Sequence, residues 1–442
     1  RSYMKNIKVV VMGAGSLVFG RGMITDLLSD ENLRKVDPAI TLVDTDEKAL
    51  DRMLGLSKLL KERLKSNAAI SATPDRKKAL EGADYIISAV TKRRMDLWEK
   101  DFFVPNSFGF RQAFGECGGP GAAFHTLRNL NILMPICKDA EQICPDAWFM
   151  SFSNPENRIV MGIKYLTKLK VMGMCHGVFG TRNAVARILG RKDEEVDITV
   201  AGINHFHWVL KAKDVKTGKD LLPEMNEKLS ASDCGLAPLV KRMYDVFGLL
   251  PFPSPDHIAE YVAFGYDLTG PDWFTHQDKV HASREEKHNY GVFAQTYEDL
   301  NLMADGKKPV PDEMLRHSGE IATSVIASIE LDRKKRELAM TIPNEGPAIS
   351  NLPEDAIVEV PAVVDAKGIH AEKVGPLPEP IAAMIRTQIT IQKLVIEAFR
   401  QKSKKILLQA LALDPVVDSL DNAKEMMDQM IRIEEDFLPE LK

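Results

Sequence analysis

The chain has 442 residues, 45% of them hydrophobic, which is more than one ordinary core uses and implies two domains. Its 58 basic and 63 acidic residues leave a formal charge of −5 spread along the sequence, which excludes the basic footprint of a nucleic-acid or membrane-surface binder and favours small-molecule partners. There is no apolar run of transmembrane length and no signal peptide, and five cysteines without a CxxC pair read as reduced thiols in a cytoplasmic protein.

Arg1 to Tyr3, ahead of Met4, read as a cloning remnant. From there the chain alternates apolar runs with amphipathic stretches, the rhythm of an α/β protein with a Rossmann-like, doubly wound parallel sheet. Strands are expected at Lys8 to Met12, Ala39 to Val43, Ala69 to Ala72, Asp84 to Val90, Trp148 to Phe152 and Lys170 to Cys175, with ligands gathering at their carboxyl ends. Helices are expected at Gly22 to Asp30, Ala49 to Lys65 and from near Gly121, where GECGGPGAAF should bring backbone amides close to a ligand at a helix amino terminus. The texture changes after Val196. We place a dinucleotide-binding domain over 4–195 and a mixed α+β domain, for substrate and oligomer contacts, over 196–442. In the second, ITVAGINHFHWVLKAKD reads as one alternating strand ending in a turn at Thr217 and Gly218. Asp305 to Glu313 reads as a surface loop or lid, Pro343 to Gly368 as strand, and Glu379 to Ala412 as helix.

Gly13, Gly15 and Ser16 follow the first strand as the turn of a dinucleotide-binding unit, although Val18 stands where the third glycine is usual. Asp44 ends the next strand and can accept from a ribose hydroxyl, which selects NAD; capping of the following helix is its other use. Cys175 and His205 combine a soft thiolate and an imidazole, two ligands that a metal could share while substrate oxygens complete the site. His207, two residues on, is a weaker ligand candidate. Asn154 precedes Pro155 at a strand end, suited either to substrate hydroxyls or to capping a helix. Arg93 and Arg94 are candidates for an acidic substrate group.

Taken together, the GAGS turn, GECGGPGAAF, SNPEN, CHGV and INHFHW make nearly the whole chain resemble a family 4 glycoside hydrolase of the alpha-galacturonidase branch. The resemblance implies NAD and Mn²⁺ as cofactors, Cys175 and His205 as manganese ligands and Asn154 as a substrate contact. His176, Gly177 and Val178 resemble the galacturonidase version of the motif; a hexose 6-phosphate branch tends to carry aspartate or asparagine after the cysteine. It implies hydrolysis by transient oxidation at sugar carbon 3, deprotonation at carbon 2, elimination of the glycosidic oxygen, and addition of water with return of the hydride. Asp256 is the first candidate for the carbon 2 base and Tyr261 the second, while His176 is the candidate acid for the leaving oxygen. Arg94, ahead of Arg111 and Arg316, is the cation chosen for the sugar carboxylate. A homodimer or homotetramer is expected. The alternatives are a glucuronide or neutral galactoside substrate, a lactate- or malate-type dehydrogenase, and a non-enzymatic NAD sensor.

Overall fold

The computed structural model describes residues 6–16, 19–270, 287–290 and 293–442; Arg1 to Tyr3 and Val18 lie outside the described residues. The first six strands are β1 (Lys8–Met12), β2 (Ala39–Val43), β3 (Ala69–Ala72), β4 (Tyr85–Ser88), β5 (Trp148–Ser151) and β6 (Lys170–Gly173), within two residues of the apolar runs that mark them. They pair in parallel in the order β3-β2-β1-β4-β5-β6. β4 is buried at every position because helices cover both faces of the sheet. These helices include α1 (Phe19–Ser29), α2 (Glu47–Leu64), α3 (Arg76–Leu80), α4 (Arg94–Ser107), α5 (Gly119–Ile143), α6 (Glu156–Leu166) and α7 (Gly177–Leu189). A glycine does pack α1 against the turn, and it is Gly20: a Cβ there would stand 2.2 Å from the Ala14 carbonyl oxygen.

The segment expected as one strand after Val196 is a hairpin, β7 (Val196–Ile203) and β8 (Phe206–Asp214), reversing at Asn204 and His205. Two inserted residues keep the period-2 alternation in phase, so the apolar pattern shows no break at the turn. The turn at Thr217 and Gly218 follows β8, with Lys213 bridged to Asp220. Next come α8 (Leu222–Ala231), α9 (Pro238–Phe247), α10 (Pro255–Ile258) and α11 (Gly265–Thr269), then a ribbon of β9 (Lys287–Tyr290) and β10 (Phe293–Thr296). α12 (Tyr297–Ala304), a loop over 305–311 that ends in a 3-10 turn at Asp312–Leu315, α13 (Ala322–Glu330), β11 (Lys335–Pro343), β12 (Ile357–Asp365) and β13 (Gly368–Ala371) follow. Pro343 thus closes a strand rather than opening one, and a loop over 344–356 separates β11 from β12. The carboxyl-terminal helical run divides into α14 (Glu379–Gln401) and α15 (Lys404–Ala412) because Lys402 takes a left-handed conformation and Ser403 caps α15, before α16 (Leu420–Ile433).

The sheet does not stop at residue 195. β11 joins β6 antiparallel through the Thr341 and Gly173 pair, and the order continues β11-β12-β7-β8 with β12 bridged to β7 at Glu359 and Gly202. Among the described residues, one large apolar cluster packed on it extends from Ile7 to Ile396, beside two smaller clusters. Away from the sheet, a buried cluster ties the chain end to two early helices: Arg128 meets Asp101 and Glu434, each at 2.7 Å, with all three side chains no more than 1% exposed. Among the described residues, no helix is long and apolar enough to cross a membrane.

Candidate active site

The carboxyl ends of β1 and β2 open into a cavity of about 570 Å³ lined by Gly13, Gly15, Ser16 and Asp44, with Arg52 and Tyr297 contributed from α2 and α12. Gly13 has φ +77°, a conformation that glycine adopts without strain, and a Cβ on Gly15 would sit 2.7 Å from that of Ala49. Asp44 accepts from the Gly15 N–H at 2.8 Å and the Asp46 N–H at 3.0 Å. Its carboxylate therefore faces the glycine turn, and the cap of α2 is Asp46, which accepts from Lys48 and Ala49. The Arg52 guanidinium lies 4.6 Å from the Tyr297 ring centroid, and both line the cavity.

At the end of β6, Cys175 Sγ lies 3.4 Å from His205 Nε2, although thirty residues separate the two in sequence. His205 occupies the β7–β8 turn at φ +62°, not a strand as its alternating neighbours suggested, and this places its ring over the end of β6. Burial, and next the positive charge of His257, hold His205 well below the usual imidazole range, so the ring is neutral and able to coordinate. Burial, then the charges of Glu156 and Glu359, push the Cys175 thiol up, so a thiolate there requires a cation at the sulfur. His205 Nδ1 is buried and lacks a hydrogen-bond partner among the described residues. No group of three His, Cys, Asp or Glu side chains able to hold a metal is present among the described residues, so a metal on this pair keeps positions for substrate oxygens. A thiolate and an imidazole suit a divalent first-row metal, and the harder Mn²⁺ fits once substrate and water oxygens complete the set. His207 does not join it, because its ring is bonded on one side to Thr181 Oγ1 at 2.8 Å and on the other to Glu359.

Carboxylates that periodicity does not reveal build the layer behind the pair. Glu156 accepts from Thr341 Oγ1 at 2.6 Å and from the Cys175 N–H at 3.3 Å, and burial lifts it to about 8. Glu260 corrects the expectation for GECGGPGAAF. Its Oε1 accepts from the backbone N–H groups of Glu116, Cys117 and Gly118, while Gln112 Oε1 takes that of Gly121 at 3.1 Å. The amides are thus satisfied by the protein's own side chains, and a Cβ on Gly118 would lie 2.5 Å from the Glu260 carbonyl oxygen. His257 Nδ1 is 3.5 Å from Glu260 Oε2, and its ring stacks on His205 with centroids 3.9 Å apart. Burial opposes its cation, but Glu260 and Asp256 outweigh that and raise it to about 9.

Asn154 does not cap α6. Its side-chain amide donates to Glu116 Oε1 at 3.2 Å, and Pro155 takes the cap position. Asp256, half-buried at the start of α10, accepts from Ser254 Oγ and from the His257 N–H at 2.9 Å. Tyr261 is buried, donates its hydroxyl to the Asn204 carbonyl at 3.1 Å and stacks on Phe206; burial, then nearby Cys117 and Glu260, drive its pKa well up. Those contacts oppose its use as a base. His176 caps α7, is exposed, and pairs through Nδ1 with Glu320 Oε1 at 2.8 Å, which with burial opposing raises its pKa. Arg94 opens α4, with its side chain outside the described residues; Arg111 pairs with Asp267 over the Tyr266 ring, and Arg316 is exposed.

Residues 8–191 match the model of the family 4 glycosyl hydrolases, and residues 200–417 match that of the family 4 glycosyl hydrolase C-terminal domain. The chain is 31% identical to an alpha-galactosidase of Bacillus subtilis (strain 168), covering 98% of this chain and 100% of that protein. It is 25% identical to an alpha-galacturonidase of Thermoanaerobacterium saccharolyticum over 98% of this chain and 97% of that one. A 6-phospho-alpha-glucosidase from gut microorganisms, solved in complex with NAD and Mn²⁺, superposes with a TM-score of 0.77 at 21% identity, covering 99% of this chain and 100% of that one. Joined matches over both halves, together with relatives that align from end to end, show that the chain belongs to family 4 of the glycosyl hydrolases.

Proposed function

We propose that the chain hydrolyses alpha-galacturonides with NAD and Mn²⁺ as cofactors. The observation that carries the redox and metal reading is the 3.4 Å pair of Cys175 and His205, set at the same carboxyl edge of the parallel strands as the glycine turn and Asp44. When bound, NAD supplies a hydride acceptor for carbon 3 and Mn²⁺ an electrophile for the sugar oxygens. Gly13, Gly15, Ser16 and Asp44 hold the dinucleotide, and Cys175 and His205 hold the metal. Asn154, aligned by Glu116, takes a sugar hydroxyl. Asp256 removes the carbon 2 proton: its carboxylate is partly open and adjoins His257, whose ring stacks on His205, whereas the Tyr261 hydroxyl is buried and donates to the Asn204 carbonyl at the hairpin turn. His176, which presents Nδ1 to Glu320, protonates the leaving oxygen from Nε2. The glycone choice is supported by the His176, Gly177 and Val178 sequence after Cys175, with Arg94 meeting the carboxylate. A neutral alpha-galactoside is the second reading, favoured by the 31% identity to an alpha-galactosidase.

The test is proton NMR in heavy water with protein, NAD⁺, Mn²⁺, reductant and an alpha-galacturonide. Free galacturonate carrying deuterium at carbon 2 is expected. Release without deuterium would remove the elimination route, and release from alpha-galactosides alone would transfer the assignment to the second reading.

A further inference from the structure

We infer that Glu320 is the positioning residue for His176, held in place by a segment strapped to the cofactor-side helix α1. This rests on the reading of His176 as the group that protonates the leaving oxygen. His176 stands exposed at the start of α7, where nothing on its own helix fixes the ring: its side chain makes no cap bond. Glu320 supplies what is missing. Its side chain is only 17% exposed, its Oε1 meets His176 Nδ1 at 2.8 Å, and its Oε2 is buried without a hydrogen-bond partner among the described residues.

The backbone behind that carboxylate is tied down. Ser318 donates its N–H to Asp26 Oδ1 at 2.7 Å and its hydroxyl to Asp26 Oδ2, and Ser318 Oγ accepts from the Glu320 N–H at 3.2 Å. On the adjoining residue of α1, Thr25 Oγ1 donates to the Met314 carbonyl at 3.1 Å. Asp26 is 1% exposed, and a Cβ on Gly22 would meet that of Ser318 at 3.5 Å, so the strap lies flush on the helix. A carboxylate anchored in this way selects one ring orientation, with Nδ1–H held toward Glu320 and Nε2, which carries the proton given to the leaving oxygen, turned away from it. An ion pair with so exposed a partner adds little to stability, so its contribution is to geometry.

The test compares wild type, Glu320→Leu, Glu320→Gln, Ser318→Ala and His176→Gln on aryl alpha-glycosides of graded leaving-group acidity, in the holoenzyme. For Glu320→Leu, kcat on the poorest leaving group should fall about 10- to 100-fold, less than the roughly 10²- to 10⁴-fold expected for loss of the acid itself, while KM and activity on the most acidic phenol stay within about threefold. Glu320→Gln, which can still accept from Nδ1, should lose less, and Ser318→Ala, which keeps the carboxylate but frees its backbone, should follow the same slope at smaller size. A uniform loss across the series in Glu320→Leu, beside a graded loss in His176→Gln, would overturn the positioning role alone. A uniform loss in His176→Gln would overturn the acid reading and the inference with it.

Discussion

The thiol of Cys175 shows how a residue's chemistry depends on a partner. Left alone, burial and two carboxylates push its pKa up, so the metal ligation proposed for it would be coupled to proton release. Cys175→Ser should weaken Mn²⁺ binding by at least about tenfold, since a neutral hydroxyl replaces an anionic ligand, while NAD affinity is unchanged. Paramagnetic titration of free Mn²⁺, run with and without NAD, measures both; equal Mn²⁺ affinity in the variant would remove sulfur from the site. Asp44→Ala should cost NAD about 1.5–3 kcal/mol, the range for a hydrogen bond to a charged group, read as Kd by calorimetry. Cys175, His205 and Asp44 were visible in the sequence because each adjoins a strand end or a glycine turn, where chemistry gathers in α/β folds. Glu260 and His257 were not, because a carboxylate meeting three amides 142 to 144 residues away leaves no local pattern.

Among the elements, α1 carries two separable tasks. Gly20 lets the helix approach Ala14, and Gly20→Ala should destabilise the protein by about 1–3 kcal/mol through overpacking, measured by denaturant unfolding. The third glycine was sought at position 18 because the usual spacing puts it there; the contact needs a glycine only where the helix touches the turn, two residues later. Asp26 anchors the strap, and burial, opposed by the Ser318 bonds, lifts its pKa to about 6 from 3.8. The folded state then holds a proton that the unfolded chain releases, so the contribution of Asp26 to stability is fully present below pH 3.8 and is lost as pH rises through 6. Asp26→Asn keeps the bond from the Ser318 N–H, lets the Ser318 hydroxyl turn to accept from Nδ2, and removes the charge, so it should recover up to about 3 kcal/mol of that loss. Unfolding curves of both proteins between pH 4 and 7 test this; parallel pH profiles would contradict it. The hairpin was hidden for the reason given by its phase: a two-residue reversal leaves alternation intact on both sides.

At the scale of the molecule, apolar runs located the parallel half of the sheet closely, since each buried strand carries its own signal. The antiparallel half was less legible, because β11 and β12 are recruited from beyond residue 330 to lie beside β6 and ahead of β7. Arg128 joins α4 and α5 to the end of the chain, and Arg128→Ala would strand Asp101 and Glu434, both of whose acidities burial already weakens. A loss of about 3–5 kcal/mol is expected on denaturant unfolding, and a loss below about 1 kcal/mol would show that the carboxylates do not depend on it.

The seam between β6 and β11 sets the terms on which the protein could be divided. Cut there, one fragment would carry a raw flank of β6 and the other a matching flank of β11, each with unpaired backbone groups above apolar surface. Neither piece is then a self-sufficient enzyme half, and two pieces made together should seek one another's edges. Mixed fragments should regain helical signal and glycosidase activity that neither shows alone, whereas each by itself should self-associate.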